Sequence, residues 1–479
     1  MKRELYELLK LRGQHALLRH YAQLSSEDQE ALERSIVTAE LPEVLAEVSA
    51  TAPASADRPA VEQSPRAPAS PARSSLPVEA LIEVGEEALR AGKVAALVVA
   101  GGQGSRLGFN GPKGLYPARP LTKTSLFEHF AEQLHTAQRK VNTVVPWLIM
   151  TSPQNDRATR EYFRAKRYFG LLESQVYFFP QGTLPGLSRE GEVLLASPTE
   201  LATFPDGHGG LLRALERAGL FAELEMRGVE QLSYFQVDNP LIPVLDPLFI
   251  GFHLAGEDPS KPVESELSSK WVAKRAPSER VGIFAERSGR LGVIEYSQLP
   301  QSLAEQEDIS GQLAFRHASI AAHMISIKLL KRSAERAALP LNQAYRSLET
   351  WLEGELQRVD GVKLERFIFD LLPLAERPRL LQVNREDEFA PIKNRGGEDS
   401  PESSARLQSE RNARWLEEAG VEIERDHSGE LDAETKIEIS PLVAMSAKEL
   451  VEENMRRNFL PERVKSKMRF CLEITPHDG

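Results

Sequence analysis

Five residues in the segment "ALVVAGGQGSRLGFNGPKG" have the types and spacing of a site for a negatively charged group. Gly101, Gly102 and Gly104 follow a run typical of a buried strand, and glycines in such a turn let backbone N–H groups approach an anion without interference from Cβ atoms. Arg106 offers a planar fork for phosphate oxygens, and Lys113 offers a mobile positive charge. The segment therefore predicts phosphate binding, although a glycine-rich turn without these cations is often only structural.

The spacing excludes two common phosphate-binding loops. A dinucleotide fingerprint beginning at Gly102 would place its third glycine at Leu107, so a dinucleotide-dependent oxidoreductase is excluded as well. A Walker A loop would have glycine where Pro112 precedes Lys113. The segment therefore carries a different motif, G-G-x-G-S-R-L-G followed by G-P-K-G.

Two later motifs also carry residues suited to ligand chemistry. In "PDGHGG", Gly207 and His208 precede an apolar helix, whose N-terminus favours negative or electron-rich groups; a surface turn is the alternative for His208. In "VDN", Asp238 follows a strand of buried character and falls at the carboxyl edge of the sheet, where open α/β sheets bind ligands. A carboxylate there suits Mg²⁺, while a helix cap or a turn is the alternative.

The elements that must position these residues alternate along the chain. We expect strands at 94–100, 145–151, 175–179 and 231–237 and helices at 78–91, 126–138 and 155–168. This alternation predicts an α/β fold with a parallel sheet buried on both faces. Strands around Ser288 and Gly289, within 262–300, predict an antiparallel insertion beside it.

Composition divides the chain into four parts. Residues 1–50 have apolar residues at helical spacing and form an N-terminal helical segment. Residues 51–76 are rich in alanine, proline and serine and predict a disordered linker. We assign 77–405 to one large α/β domain and 406–479 to a small C-terminal domain.

Charge and cysteine content limit the partners and the compartment. The 479 residues carry a net charge of -11, which argues against nucleic acid or an anionic membrane as the main partner. One cysteine excludes a disulfide framework and fits a reducing compartment. With no signal peptide or spanning stretch evident, we expect a cytoplasmic protein, with a monomer favoured and the oligomeric state open.

The glycine-rich segment resembles the first signature of the pyrophosphorylases that make UDP-sugars, and is most similar to the eukaryotic-type UDP-N-acetylhexosamine pyrophosphorylases. Similar blocks follow in the family's order: "MTSPQNDRATREYFRAKRYFGL", "VYFFPQGTLPGLS", "PDGHGGLLRAL", "QVDNPLIPVLDPLFIGFH", "RVGIF", "GVIEYSQL", "LERFIFDLL" and "REDEFAPIKN". They cover about residues 80–405.

The resemblance implies a Rossmann-like, GT-A-like nucleotidyltransferase fold with a mixed, mainly parallel sheet flanked by helices. It also implies a uridylyltransferase whose substrates are UTP and a hexose-1-phosphate and whose cofactor is Mg²⁺. The sugar phosphate would attack the α-phosphorus of UTP directly and expel pyrophosphate.

The resemblance also assigns roles residue by residue. Arg106 and Lys113 would be catalytic, and Asp238 would bind the metal. The implied UTP-binding residues are Gly101, Gly102, Gly104, Lys113, Gln181, Gly207 and Arg366. The implied sugar-phosphate-binding residues are His208, Gly282, Glu295, Tyr296, Ser319 and Lys393.

Two departures from the acetylhexosamine enzymes concern the sugar. Those enzymes have asparagine at the positions of His208 and Ser319, and histidine at the first is typical of UDP-glucose and broad-range enzymes. Both changes remove a side-chain amide that could pair with an N-acetyl group. We therefore expect glucose-1-phosphate or a broad hexose-1-phosphate range, with N-acetylglucosamine-1-phosphate as the alternative. A non-catalytic UDP-sugar-binding protein is a remote alternative.

Overall fold

The computed structural model describes residues 1–51, 65–68, 76–255, 264–336, 339–352 and 354–473. The chain packs into two compact units, each built from three separate segments. Unit 1 comprises Met1–Ser64, Gln181–Ala218 and Arg332–Leu374, and unit 2 comprises Pro65–Pro180, Gly219–Lys331 and Ala375–Gly479. These units differ from the contiguous division expected from composition, because strand pairing joins segments that are distant in sequence.

The helices, in chain order, are α1 (Arg3–Leu11), α2 (His15–Gln23), α3 (Ser26–Thr38), α4 (Leu41–Thr51), α5 (Val78–Arg90), α6 (Leu126–Val141), α7 (Asp156–Ala165), α8 (Leu211–Arg217), α9 (Leu220–Met226), α10 (Pro247–Leu254), α11 (Gln301–Ala304), α12 (Ile327–Glu335), α13 (Arg385–Glu388), α14 (Pro401–Glu418) and α15 (Ala447–Arg457). Within the described ranges, none of them has the length and apolar character needed to cross a bilayer.

The strands are β1 (Val94–Val99), β2 (Trp147–Thr151), β3 (Val176–Pro180), β4 (Thr183–Pro185), β5 (Leu187–Ser188), β6 (Leu195–Ser197), β7 (Glu200–Leu201), β8 (Thr203–Pro205), β9 (Gln231–Gln236), β10 (Leu267–Ala273), β11 (Ile283–Arg287), β12 (Arg290–Ile294), β13 (His317–Ser326), β14 (Asn342–Leu352), β15 (Glu355–Glu365), β16 (Arg379–Gln382), β17 (Glu422–Ile423), β18 (Lys436–Ile439), β19 (Arg463–Val464) and β20 (Arg469–Leu472).

Unit 2 is built on a nine-stranded mixed sheet in the order β12-β11-β13-β9-β1-β2-β3, with β10 paired to β13 and β16. Strands β9, β1, β2 and β3 are mutually parallel, which confirms the parallel sheet expected from the sequence. The residues of β1, β2 and β9 are almost all buried, as expected for strands covered by helices on both faces. Their carboxyl ends therefore lie at one edge, where the glycine-rich segment and Asp238 follow.

The predicted antiparallel insertion is a hairpin of the same sheet. Strands β11 and β12 pair across a turn in which Ser288 and Gly289 both have positive φ. Inside the predicted linker, Arg66 exchanges two backbone hydrogen bonds of 2.9 Å with Glu286 of β11. The stretch Pro65–Pro68 is thus paired with the sheet rather than disordered, because its backbone groups extend an open strand edge. Residues 52–64 and 69–75 of that linker prediction lie outside the described residues.

Unit 1 combines the N-terminal helices with short sheets. Strands β14 and β15 form a long hairpin, and β5 adds to β15. Helices α1 to α4 share an apolar cluster with these strands that includes Leu9, Leu32, Ile36 and Leu364. The helical N-terminal segment expected from the sequence is therefore four helices in one core.

The C-terminal residues of unit 2 have an apolar cluster of their own, formed by Leu416, Ile437, Leu450 and other residues. Helix α14 begins at the cap Ser400, whose hydroxyl accepts a 3.2 Å hydrogen bond from the Ser403 N–H. The boundary expected at residue 406 consequently falls inside this helix.

Candidate functional site

The glycine-rich segment forms a closed turn directly after β1. The Gly104 N–H donates to the Gly111 carbonyl at 2.9 Å, and the Lys113 N–H donates to the Gly102 carbonyl at 3.0 Å. A Cβ at Gly104 would lie 2.7 Å from the Phe109 ring, so this glycine is required for packing. A Cβ at Gly102 would meet nothing within 4 Å, so its backbone faces open space that a ligand can occupy. Gly101, just before it, is half-buried.

Asn155, which the sequence did not single out, fixes the start of this turn. Its Nδ2 donates to the carbonyls of Ala100 at 2.9 Å and Gly102 at 3.3 Å, while its Oδ1 accepts from the Ser152 N–H at 2.8 Å. The side chain is fully buried. In the sequence, Asn155 could have been identified by its position just after β2. That strand is the parallel neighbour of β1, so the two strands end at the same edge of the sheet.

Lys113 and Asp238 form the charged centre of the site in unit 2. The Lys113 Nζ lies 3.4 Å from Asp238 Oδ2, and both side chains are mostly buried. Burial acts to raise the pKa of Asp238, but the charges of Lys113 and Lys393 outweigh it, and the pKa lies below its ordinary value. Asp238 is therefore an anion at neutral pH.

A second unassigned asparagine brings Lys393 to this centre. Asn239 Nδ2 donates to the Glu388 carbonyl at 2.6 Å, and its Oδ1 accepts from the Ala390 N–H at 3.0 Å. The Ile392 N–H then donates to the Asp238 carbonyl at 2.8 Å. The segment before Lys393 is thereby attached to the end of β9. Asn239 could have been identified from the "VDN" motif, in which the sequence analysis assigned a role only to the aspartate.

A cavity of about 440 Å³ adjoins Lys393. Its lining contains more cations than carboxylates, and this balance suits a phosphate-bearing ligand. The charged residues are Arg275, Arg280, Arg385, Lys393 and Arg406 against Glu279, Glu398 and Asp399. Arg106 is exposed on the turn Ser105–Leu107 and, within the described parts of the chain, has no carboxylate at ion-pair distance.

Three of the residues assigned to the sugar lie together in unit 2. The Ser319 N–H donates to the Gly282 carbonyl at 2.9 Å. A Cβ at Gly282 would lie 3.6 Å from Glu295 Oε1, so that carboxylate adjoins the glycine backbone. Tyr296 follows Glu295 and is exposed. The structure thus brings Gly282, Glu295 and Ser319 into one cluster.

The remaining assigned residues lie in unit 1. Antiparallel pairing of β4 with β8 places the buried Gln181 and its neighbour Gly182 beside the "PDGHGG" turn, where the Asp206 N–H donates to the Gly182 carbonyl at 3.1 Å. Gly207 has φ of 84°, and a Cβ there would lie 2.5 Å from the Arg366 carbonyl. This glycine permits a close approach to the protein's own backbone, in addition to any approach to a ligand.

His208 is held as a neutral imidazole. The Ile368 N–H donates to its Nδ1 at 3.0 Å, so the ring proton resides on Nε2. The ring packs against Phe367 and Phe369 at centroid distances of 5.3 and 5.5 Å. Burial lowers the pKa of His208 to about 4. At neutral pH it can donate one hydrogen bond from Nε2 but carries no charge.

Arg366 requires a correction. The sequence indicated a cation for UTP, but the Arg366 guanidinium is buried and forms two 2.7 Å hydrogen bonds with the Glu47 carboxylate of α4. It also donates to the Leu339 carbonyl. Because Glu47 neutralises its charge, Arg366 serves as an internal ion pair in this structure and not as an available phosphate ligand.

Asp206 is a further residue that sequence reasoning missed. Its carboxylate is wedged between two backbones, since Cβ atoms at Gly182 and Gly210 would lie 2.6 and 2.1 Å from its oxygens. Its Oδ1 has no hydrogen-bond partner among the described residues. Burial raises the pKa of Asp206 to about 6 despite the positive charges of Arg366, Arg217 and Arg213.

The chemistry of Asp238 fits a magnesium ligand. It is an ionised carboxylate at a sheet edge, and Mg²⁺ commonly takes one or two carboxylates and completes its shell with waters and substrate phosphates. The group Glu438, Cys471 and Glu473 also has metal-ligand spacing, but the Arg119 guanidinium already lies 2.8 Å from Glu438 and 3.8 Å from Glu473. That group is an ion-pair network.

Comparison with known proteins decides the family. The profile of the UDPGP family, described as UTP–glucose-1-phosphate uridylyltransferase, matches residues 60–441. The chain belongs to this family. As a member of the UDP-sugar pyrophosphorylases, it is an enzyme that transfers uridylyl groups, and its mixed α/β fold is that of the family.

Similar family members are named for an acetylated sugar. UDP-N-acetylglucosamine diphosphorylase 1 of Arabidopsis thaliana is 36% identical over 77% of this chain and 74% of its own length. UDP-N-acetylglucosamine pyrophosphorylase of Saccharomyces cerevisiae is 37% identical over 71% of this chain and 72% of its own. The crystal structure of the Trypanosoma brucei uridine diphosphate N-acetylglucosamine pyrophosphorylase, 28% identical, aligns with a TM-score of 0.75 over 96% of this chain and 97% of that one.

Proposed function

We propose that this protein is a UDP-N-acetylglucosamine pyrophosphorylase, which makes UDP-N-acetylglucosamine and pyrophosphate from UTP and N-acetylglucosamine-1-phosphate. The observation that carries the proposal is the 36–37% identity to enzymes named for this product over more than two thirds of the chain. It favours the alternative over the glucose-1-phosphate or broad-range preference that His208 and Ser319 suggested.

The arrangement in unit 2 suits this reaction because it supplies cations, and the reaction itself needs no general base. A sugar-1-phosphate already carries anionic oxygens at neutral pH, since the second pKa of a phosphate monoester is about 6. One of these oxygens forms the new bond to the α-phosphorus as the bond to the β-phosphate oxygen breaks. Catalysis then depends on positioning and charge neutralisation.

Each cation has a place in this scheme. Lys393 neutralises the sugar-linked phosphate, and Lys113 neutralises charge on the triphosphate as it shifts toward the leaving pyrophosphate. Arg106, on the exposed turn, binds the same leaving group. Asp238 orients Lys113, 3.4 Å away, because its pKa keeps it anionic, and it is the residue we propose to hold Mg²⁺. When bound, the ion would add charge neutralisation at the phosphates.

Backbone groups and a side-chain amide would bind UTP. Gly101, Gly102 and Gly104 would cradle the phosphates from the turn after β1. The Gln181 amide offers both a donor and an acceptor, which can pair with a uracil edge. Gly207, whose Cβ position is taken up by the Arg366 backbone, would contact the uridine through its own backbone.

The test is pyrophosphate release from UTP with Mg²⁺ and a panel of sugar-1-phosphates. We expect kcat/KM for N-acetylglucosamine-1-phosphate to exceed that for glucose-1-phosphate by at least about tenfold, which is roughly 1.4 kcal/mol of transition-state discrimination. A higher kcat/KM for glucose-1-phosphate would support the second candidate, which the absence of an amide at His208 and Ser319 favours. If no sugar phosphate yields pyrophosphate, the remaining alternative is a non-catalytic UDP-sugar-binding protein.

A further inference from the structure

The segment after Lys393 forms a closed loop that carries an exposed arginine, Arg395. The Asp399 carbonyl accepts hydrogen bonds from the N–H groups of Lys393 at 2.6 Å and Asn394 at 3.0 Å. The Asn394 side chain also donates from Nδ2 to the Glu398 carbonyl at 2.9 Å. These bonds join the two ends of the segment, so the loop that holds Arg395 has a defined shape.

Arg395 lies against the glycine-rich turn after β1. Gly108, with φ of 72°, ends the turn that carries Arg106. A Cβ at Gly108 would lie 3.9 Å from Arg395 Nε and, its chain neighbours aside, would meet no other described atom within 4 Å. Gly108 and both arginines are exposed. Arg106 and Arg395 thus adjoin one part of the turn that is open to solvent.

The protein does not neutralise either of these arginines. Among the described residues, no carboxylate forms an ion pair with Arg106 or Arg395, whereas the neighbouring Lys393 lies 3.7 Å from Asp399. Two unpaired guanidinium groups at one turn create a local positive potential on a chain whose net charge is -11. Each guanidinium presents its N–H groups in a planar fork that matches phosphate oxygens. The two arginines therefore suit a ligand with more than one phosphate.

We propose that Arg395 is a further catalytic residue, which binds the leaving pyrophosphate together with Arg106. This inference rests on the proposed function. In that reaction the bond from the α-phosphorus to the bridging oxygen breaks, and the pyrophosphate takes the electron pair and gains negative charge. Arg395 binds this group from the loop that begins at Lys393. One loop thus supplies a cation to the attacking sugar phosphate and another to the leaving group.

The test is the reverse reaction, in which pyrophosphate and UDP-N-acetylglucosamine are the two substrates. Arg395→Ala should raise KM for pyrophosphate about tenfold or more, because hydrogen bonds between charged groups are the strong ones. KM for UDP-N-acetylglucosamine should stay unchanged, because this substrate lacks the leaving group. Arg395→Lys keeps the charge but removes the planar fork, and it should give a smaller rise in KM for pyrophosphate.

The matched control is Arg346→Ala. Arg346 on β14 is also exposed and has no ion-pair partner in the part of the chain that the structure describes. It lies on the β14–β15 hairpin, outside both the loop after Lys393 and the glycine-rich turn. This variant should leave both KM values unchanged.

The outcomes separate this inference from the proposed function. An unchanged KM for pyrophosphate in Arg395→Ala, or equal rises in both KM values, overturns the role of Arg395 while the proposed function stands. A wild-type protein that consumes pyrophosphate only with UDP-glucose contradicts the proposed sugar, and the same comparison with UDP-glucose then tests Arg395. A wild type that consumes no pyrophosphate with either sugar nucleotide contradicts both.

Product inhibition of the forward reaction gives a second readout. Inhibition by pyrophosphate should require about tenfold higher concentrations in Arg395→Ala than in the wild type, whereas inhibition by UDP-N-acetylglucosamine should be the same in both proteins. Equal inhibition of the two proteins by pyrophosphate would overturn the proposal.

Discussion

At the scale of single residues, the contact between Lys113 and Asp238 sets the charge of the site. The charges of Lys113 and Lys393 keep Asp238 anionic, and Asp238 holds the Lys113 ammonium at 3.4 Å. Lys393 has its own carboxylate partner, Asp399, at 3.7 Å. The charge of Arg366, in contrast, is neutralised inside the protein by an ion pair with Glu47.

Lys113→Ala should lower kcat by about 10²-fold or more with a smaller effect on UTP binding, because the lysine gains importance as charge moves to the leaving pyrophosphate. Steady-state kinetics and UTP titration measure the two effects. Lys93→Ala is the control, since Lys93 forms an exposed pair with Glu230. Retention of half the wild-type kcat would exclude a catalytic role for Lys113.

The two glycines of the turn after β1 should respond differently to alanine. Gly102→Ala introduces a Cβ that meets no protein atom, so stability should be unchanged while UTP binding weakens about tenfold. Gly104→Ala places its Cβ 2.7 Å from the Phe109 ring and should lower the free energy of unfolding by about 1 to 3 kcal/mol. Urea denaturation and UTP titration compare them. Equal UTP affinity in Gly102→Ala and the wild type would contradict the assignment.

Asp206 should make stability depend on pH. Its pKa rises from 3.8 to about 6 on folding, so as the pH rises from 4 to 6 the unfolded carboxyl ionises before the folded one. The wild type should therefore lose up to about 3 kcal/mol relative to Asp206→Asn over this range. Urea denaturation of both proteins at pH 4 and pH 7 measures the difference. A stability difference that is the same at both pH values would show that burial does not penalise this carboxylate.

At the scale of elements, asparagine side chains attach loops to strand ends. Asn155 fixes the turn after β1, and Asn239 fixes the segment before Lys393. Both side chains are buried and bond to backbone atoms, so each defines a loop conformation.

Asn239 should therefore act through Lys393. Asn239→Ala should lower kcat/KM in the wild-type background and cause little further loss in a Lys393→Ala background, because the lysine it positions is already absent. A double-mutant cycle on kcat/KM with saturating UTP measures this coupling. Additive losses would show that Asn239 supports the site by another route.

The elements themselves were largely predictable, because burial gives strands and helices a periodic pattern. The strand expected at 231–237 is β9, and the helix expected at 126–138 is α6, three residues longer. The contact of Arg366 was not predictable. Arg366 pairs with Glu47, 319 residues earlier, and no local pattern encodes a partner at that separation.

At the scale of the whole molecule, sequence order and packing disagree. Composition suggested contiguous parts, whereas each unit draws on three segments. The glycine-rich turn, Lys113, Asp238 and Lys393 belong to unit 2, while Gln181, Gly207, His208 and Arg366 belong to unit 1. Only pairing between distant strands, such as β5 with β15, defines these units, and such pairing leaves no signal in local composition.

Because unit 1 is built from three separate segments, its core can be completed only late in synthesis. Helices α1 to α4 are synthesised before the other two segments of unit 1, yet their apolar cluster is completed by Leu364, which follows some 300 residues later. At about 5 to 20 residues per second, this interval lasts roughly 15 to 60 seconds. Until then the cluster lacks the side chains of Leu341, Val362 and Leu364, and in a fragment ending at residue 331 the helices should be more sensitive to proteases than in the full chain. Resistance of those helices in that fragment to limited proteolysis would contradict this order of assembly.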